Sequence, residues 1–208
     1  MRVRRLCDVY SRLHAETEHI LDVFRSPSPS TGPFAITCPP AHLKGREMCV
    51  LRLHDAWTRF CRELILSSAA DEPLSLSGRR LPKARGVTQR SDVIPFVQRS
   101  MRLHWEPNWG IPPACIDVAR CLQLANFNTV SMALGATPSP VEPLRHTRNF
   151  LAHRKPDTQL LYGNVAVQLG HPRSIPVDQM VSFVVQGVGP RFEMWVAELR
   201  IIAQACIR

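Results

Sequence analysis

Residues 44–70 read Lys44-Gly-Arg-Glu-Met48-Cys-Val-Leu51-Arg-Leu53-His-Asp-Ala56-Trp57-Thr-Arg-Phe60-Cys-Arg-Glu-Leu64-Ile65-Leu-Ser-Ser-Ala-Ala70. Met48, Leu51, Ala56, Phe60, Leu64 and Ile65 recur near the 3.6-residue helical period, and Leu53 and Trp57 widen the stripe. No period-two alternation interrupts it, and Pro73 lies just past its end. This stretch predicts a long amphipathic helix and an α-helical core.

The flanks extend the same pattern. Val3, Leu6, Val9, Tyr10, Leu13, Ile20 and Phe24 predict a helix over 3–24, which Ser26-Pro-Ser-Pro-Ser-Thr-Gly-Pro33 ends. Residues 26–41 read as a loop. Residues 71–91 are polar and basic, with Arg79, Arg80, Lys83, Arg85 and Arg90 among Gly78, Pro82 and Gly86. Their composition predicts a mobile loop, either a phosphate-contacting flap or a solvated connection. A short helix is expected over 92–103 with Ser91 or Asp92 as its cap, then a structured loop around Trp105 and Trp109. Those two rings either stack a base or fill the core. Pro112-Pro113 opens a helix near 113–125, and another near 127–134 stops at Gly135.

Ser139-Pro-Val-Glu142 has capping-box spacing and begins a helix that Pro156 terminates. Beyond it the pattern weakens. Thr158–Leu169 reads as a short hairpin, and Val177–Val185 as strand or helix with Asp178 able to cap. Phe192, Trp195, Val196, Leu199, Ile202, Ala203 and Cys206 predict a final helix over 190–206. No repeat is present. The sum is an all-α bundle of about five helices with extra loops, in a single domain over 1–208.

Composition narrows the function. No apolar run reaches the length of a membrane span, and the N-terminal segment lacks a signal-like apolar core, so a cytoplasmic protein is expected. The seven cysteines form no Cys-x-x-Cys pair and are odd in number, which argues against a zinc site or a disulfide framework. Net charge is +9, and all but three of the 26 basic residues (Lys44, Lys83, Lys155) are arginines. Arginine forks match phosphate geometry, so either a polyanionic partner or genome base composition accounts for the excess. Only Arg120 is cationic within 113–134, which argues against a DNA-reading helix there.

The chemistry gathers in Pro143-Leu-Arg-His-Thr-Arg148-Asn149-Phe-Leu-Ala-His153-Arg-Lys155. An arginine, an amide and an imidazole can bind a phosphodiester and move a proton near neutral pH. Spacing alone proves little. Given eight histidines and this arginine content, chance supplies about one Arg-x4-His pair, and Arg99–His104 is such a pair. Context distinguishes Arg148: an asparagine follows it, a helix start precedes it, and Ala152 leads into His153. On a helix Asn149 and His153 share a face with Arg145 one turn earlier, while Arg148 projects about 140° from His153. The plain alternative is a set of cations beside a helix C-terminus.

Arg148-Asn149-x-x-x-His153, in a late helix of a helical protein, resembles the signature of the HEPN superfamily. Leu53–Glu63 resembles the early long helix of its RiboL-PSP/MAE-type members, and Leu122–Gly135 resembles the segment leading to their motif. The likeness covers about 45–155. It implies a bundle that dimerises through the motif helix, and a metal-independent endoribonuclease of the toxin or defence type, without a cofactor. By that likeness His153 acts as general base or acid at the 2′-hydroxyl, Arg148 binds the scissile phosphate, and Asn149 orients one of them. RNA is the implied partner, with an antitoxin or defence protein as a possible second; some members instead bind RNA, nucleotide or protein without catalysis. Members regulated by nucleotidylation carry a tyrosine two residues after the histidine, where this chain has Lys155. Arg145, Arg154, Lys155, Arg79 and Arg80 are weaker phosphate-binding candidates. Asp55, Arg59 and Glu63 are candidates for supporting Arg148, or are plain solvated charges.

Overall fold

A computed structural model describes residues 5–26, 40–137 and 139–208. The start of the first expected helix and most of the 26–41 loop lie outside the described residues. Among those described, helices dominate: α1 Leu6–Arg25, α2 Pro40–Ala70, α3 Arg90–Met101, α4 Pro112–Cys121, α5 Phe127–Leu134, α6 Val141–His153, α7 Pro156–Gln168, α8 Val177–Ser182 and α9 Arg191–Cys206. One two-stranded antiparallel ribbon, β1 Val184–Val185 with β2 Gly189–Pro190, completes the set. The fold is all-α, as the stripe on residues 44–70 predicts, but with nine described helices rather than about five.

The largest correction concerns α7. Residues 158–168 are helical, not part of a hairpin. Lys155 is extended and Pro156 occupies the first turn, where its missing N–H costs nothing. The Lys155 N–H donates to Thr158 Oγ1 at 3.0 Å, closing the helix start. Gly163 and the valines mask this helix in the sequence, because both lower intrinsic helix propensity. Packing overrides that deficit: Tyr162, Val165 and Ala166 are buried.

Two compact units share the chain. The first comprises residues up to Ala15, Ala56–Ser139 and Leu199–Arg208. Its core holds Trp57, Leu64, Ile65, Val97, Val118 and Leu199. The 71–91 segment belongs to this unit and is anchored rather than loose. Leu81, Ala84 and Val87 are buried. Leu81 N–H bonds to Pro73 O, Ala84 N–H to Ala69 O, and Leu76 N–H to Ile207 O. Composition misled because three small apolar residues suffice to fasten a polar loop. Arg80 pairs with Glu72 at 3.5 Å. Arg90 opens α3 half-buried, held by Glu63 and by Asp71 at 2.8 Å. The cap of α3 is Gln89, whose N–H donates to Asp92 at 3.0 Å. Trp109 is buried with its Nε1–H on Glu106, whereas Trp105 is 83% exposed. Cys61, Cys115 and Cys206 are buried together in this unit, and burial pushes the Cys206 thiol up to about 12.

The second unit comprises Glu16–Asp55 and Pro140–Glu198. Phe24 stacks on Phe192 at 4.5 Å, and Ile20, Val50, Leu53, Leu144 and Met180 are buried. Arg25 closes this core with a 2.6 Å ion pair to Glu193. Helices α6 and α7 pack on each other through Phe150 and Tyr162, whose rings lie 4.7 Å apart and 6° from parallel. The Tyr162 hydroxyl donates to Ile175 O at 2.7 Å. Removing it strands a carbonyl, so Tyr162→Phe is expected to lower stability by about 1–2 kcal/mol. Urea unfolding checks this; an unchanged midpoint would show the bond to be energetically silent.

Candidate functional site

Helix α6 runs unbroken through the whole Arg-Asn-x3-His segment. It begins at Val141 with Pro140 in the cap position, one residue later than a Ser139 cap would give. Its apolar side buries Val141 and Leu144, and Thr147 Oγ1 donates back to Pro143 O at 2.8 Å. Arg154 ends it in the left-handed conformation, φ 48°, with its N–H on Phe150 O. A β-carbon there costs roughly 1 kcal/mol, so the turn into α7 is held by the packing beyond it.

Arg148 and Asn149 are brought together. Arg148 Nη1 donates to Asn149 Oδ1 at 3.3 Å. The guanidinium is half-buried, and its Nε–H is fully buried without a hydrogen-bond partner among the described residues. No carboxylate among them pairs with it. An unmet buried donor costs about 1–3 kcal/mol; the Nε–H of Arg191 is in the same condition.

His153 is placed apart. It is exposed in the last turn of α6, and no hydrogen bond or ion pair among the described residues joins it to Arg148 or Asn149. The shared helix face of Asn149 and His153 follows from the unbroken helix; a three-residue cluster within one chain does not.

A residue without an assigned role in the sequence feels the charge of both Arg145 and Arg148. His54 on α2 is buried, and its pKa is lowered first by burial, then by the positive charge of Arg148, with Arg145 adding a smaller push. Asp55, 3.9 Å away, opposes the shift. The ring is therefore neutral at pH 7 and adds no charge beside Arg148. The signal was available: His54 lies four residues after Val50 and three before Trp57, on the buried side of α2. Met48, assigned to that stripe, is 53% exposed, so the stripe is rotated near the helix start.

The supporting candidates divide. Arg145 reaches His146 at 3.2 Å and Glu142 at 3.9 Å, so α6 carries its own small polar cluster. Exposed Arg154 pairs with Glu47 at 3.4 Å. Lys155 is exposed at the α7 start. Glu63 is engaged by Arg90 and by Arg62 in the first unit; Asp55 meets His54 in the second. Arg59 is exposed, and with Arg79 and Arg80 it belongs to the first unit, whereas α6 lies in the second. Among the described residues no helix is long and apolar enough to cross a membrane.

The chain matches no protein-family profile, no curated protein and no solved structure.

The lowered His54 pKa has a sign in stability. The unfolded chain binds this proton more readily than the folded one, so the contribution of the neutral ring is complete above about pH 6.5 and falls as pH drops towards the lower folded value. His54→Asn is expected to lose less stability than the parent on going from about pH 7 to about pH 5. Urea titrations at both pH values read this; equal losses would assign the acid sensitivity elsewhere.

Proposed function

We propose that the protein is a HEPN-type, metal-independent endoribonuclease, of the kind that serves as a toxin or defence effector. One observation carries this above the others: Arg148 is half-buried, bonded only to Asn149, with a buried N–H unmet and no carboxylate among the described residues. Such a guanidinium is prepared for an anion, and a phosphodiester fits its fork. Neutral His54 adds no further positive charge to that of Arg145 and Arg148.

The chemistry follows from these groups. Arg148 holds the non-bridging oxygens of the scissile phosphate and stabilises the charge that builds on them. Asn149 fixes the guanidinium through its Oδ1. His153 takes the 2′-hydroxyl proton as that oxygen attacks phosphorus, and the 5′-oxygen departs with a proton. The products are a 2′,3′-cyclic phosphate and a 5′-hydroxyl. A second copy of the chain, apposed through α6, would bring another His153 to each Arg148 and supply both base and acid. That arrangement accounts for the distance between His153 and Arg148 within one chain.

The same separation favours a second reading, a binding-only HEPN module for RNA, nucleotide or a protein partner. Cleavage of single-stranded RNA in EDTA discriminates the two. The enzyme is expected to yield cyclic-phosphate ends, and Arg148→Ala and His153→Ala are each expected to reduce the rate by about 10²–10⁴-fold with the helical circular dichroism unchanged. Cleavage by His153→Ala at the parent rate would sink the catalytic assignment. RNA binding that survives it without any product would establish the module.

A further inference from the structure

An open groove of about 330 Å³ lies along the first half of α7, lined by Pro156, Gln159, Leu160, Gly163, Arg173 and Ser174. It begins three residues after His153. Its volume lies at the lower end of small-ligand sites, roughly 300–1,000 Å³.

The walls are fixed. Glycine inside a helix costs about 1 kcal/mol relative to alanine. Here a β-carbon on Gly163 would stand 3.4 Å from both the Cβ and the carbonyl oxygen of Arg173. That is ordinary van der Waals contact, so the connection after α7 lies against the helix at Gly163. That connection is tied at both ends: His171 N–H bonds to Ala166 O at 2.9 Å, and the Tyr162 hydroxyl holds Ile175 O at 2.7 Å. Arg173 is thus an exposed cation on an anchored segment, and it makes no hydrogen bond or ion pair among the described residues. Most arginines of the chain with a recorded partner meet a carboxylate; this one faces a groove with no acidic side chain in its lining. The lining also includes Leu160, 57% exposed, and the ring of Pro156. An arginine fork suits a phosphate, the apolar side chains can cover the face of a base, and the exposed amide of Gln159 can bond to its edge.

We propose that this groove binds one ribonucleotide of a single-stranded RNA, the one flanking the scissile phosphate. Its base lies on Leu160 and Pro156, Gln159 reads the base edge, and Arg173 holds the outer phosphate. The position relative to the cut rests on the ribonuclease reading; the ligand chemistry rests on the groove alone.

The test titrates the full chain with uridine and adenosine 3′-monophosphates by calorimetry at low salt, and maps cleavage of an RNA containing every dinucleotide step. The parent is expected to bind, Arg173→Ala to bind roughly tenfold or more weakly, and His153→Ala to bind as the parent does. Gln159→Ala is expected to change which steps are cut. Absence of nucleotide binding by the parent overturns the proposal, as does parental affinity in both Arg173→Ala and Leu160→Asp. Conversion of a dimer to a monomer by Leu160→Asp, with affinity unchanged, also overturns it and makes the groove an interface between copies. Binding that depends on Arg173 in a protein that cuts no RNA upholds the groove and removes the ribonuclease reading.

Discussion

The stack of Phe150 on Tyr162 is the contact on which the second unit's functional face depends. An offset aromatic pair of this kind contributes about 0.5–1.5 kcal/mol beyond the area it buries. That is comparable with the strain of Arg154 in the left-handed region, so the pair helps hold a turn that the backbone alone disfavours. The turn sets three things at once. It ends α6 directly after His153, starts α7 at Pro156, and through the Tyr162 hydroxyl fastens the connection that carries Arg173. The catalytic candidates and the nucleotide groove are two sides of one corner.

Charge pairing sorts the arginines. Basic residues outnumber acidic ones, 26 to 17. Arg25, Arg62, Arg80, Arg90, Arg120 and Arg154 are each matched to Glu or Asp. In the second unit Arg148 and Arg173 are not, nor are Arg46, which meets Ser182, and Arg191. Exposed pairs of this kind are worth about 0–1 kcal/mol, so the matching matters less for stability than for deciding which guanidiniums remain open to phosphate.

The sequence discloses those elements whose period is clean. Helices α1, α2 and α9 appear where Leu13, Phe60 and Leu199 recur, and Gly135 stops α5 as expected. Helix α7 is hidden because Gly163 and the valines lower its local propensity, and the burial of Tyr162, Val165 and Ala166 that overrides this involves partners no local window contains. The anchoring of 71–91 is hidden for the same reason, since Ile207 lies far along the chain from Leu76. In the site, Arg148, Asn149 and His153 are legible as one helix. His54 is not, because its closeness to Arg148 depends on how α2 meets α6 within the unit, and spacing carries no record of that.

The buried thiols of the first unit have a practical consequence. Cys61, Cys115 and Cys206 are shielded from solvent, and burial holds Cys61 and Cys206 in their unreactive protonated form, whereas Cys7 and Cys121 are partly accessible. Since only a thiolate attacks an alkylating reagent, the shielded sulfurs stay silent until their unit opens. The rate at which they are modified is therefore a clock for opening of the first unit alone. It runs with no label added and no residue changed in the unit that carries Arg148.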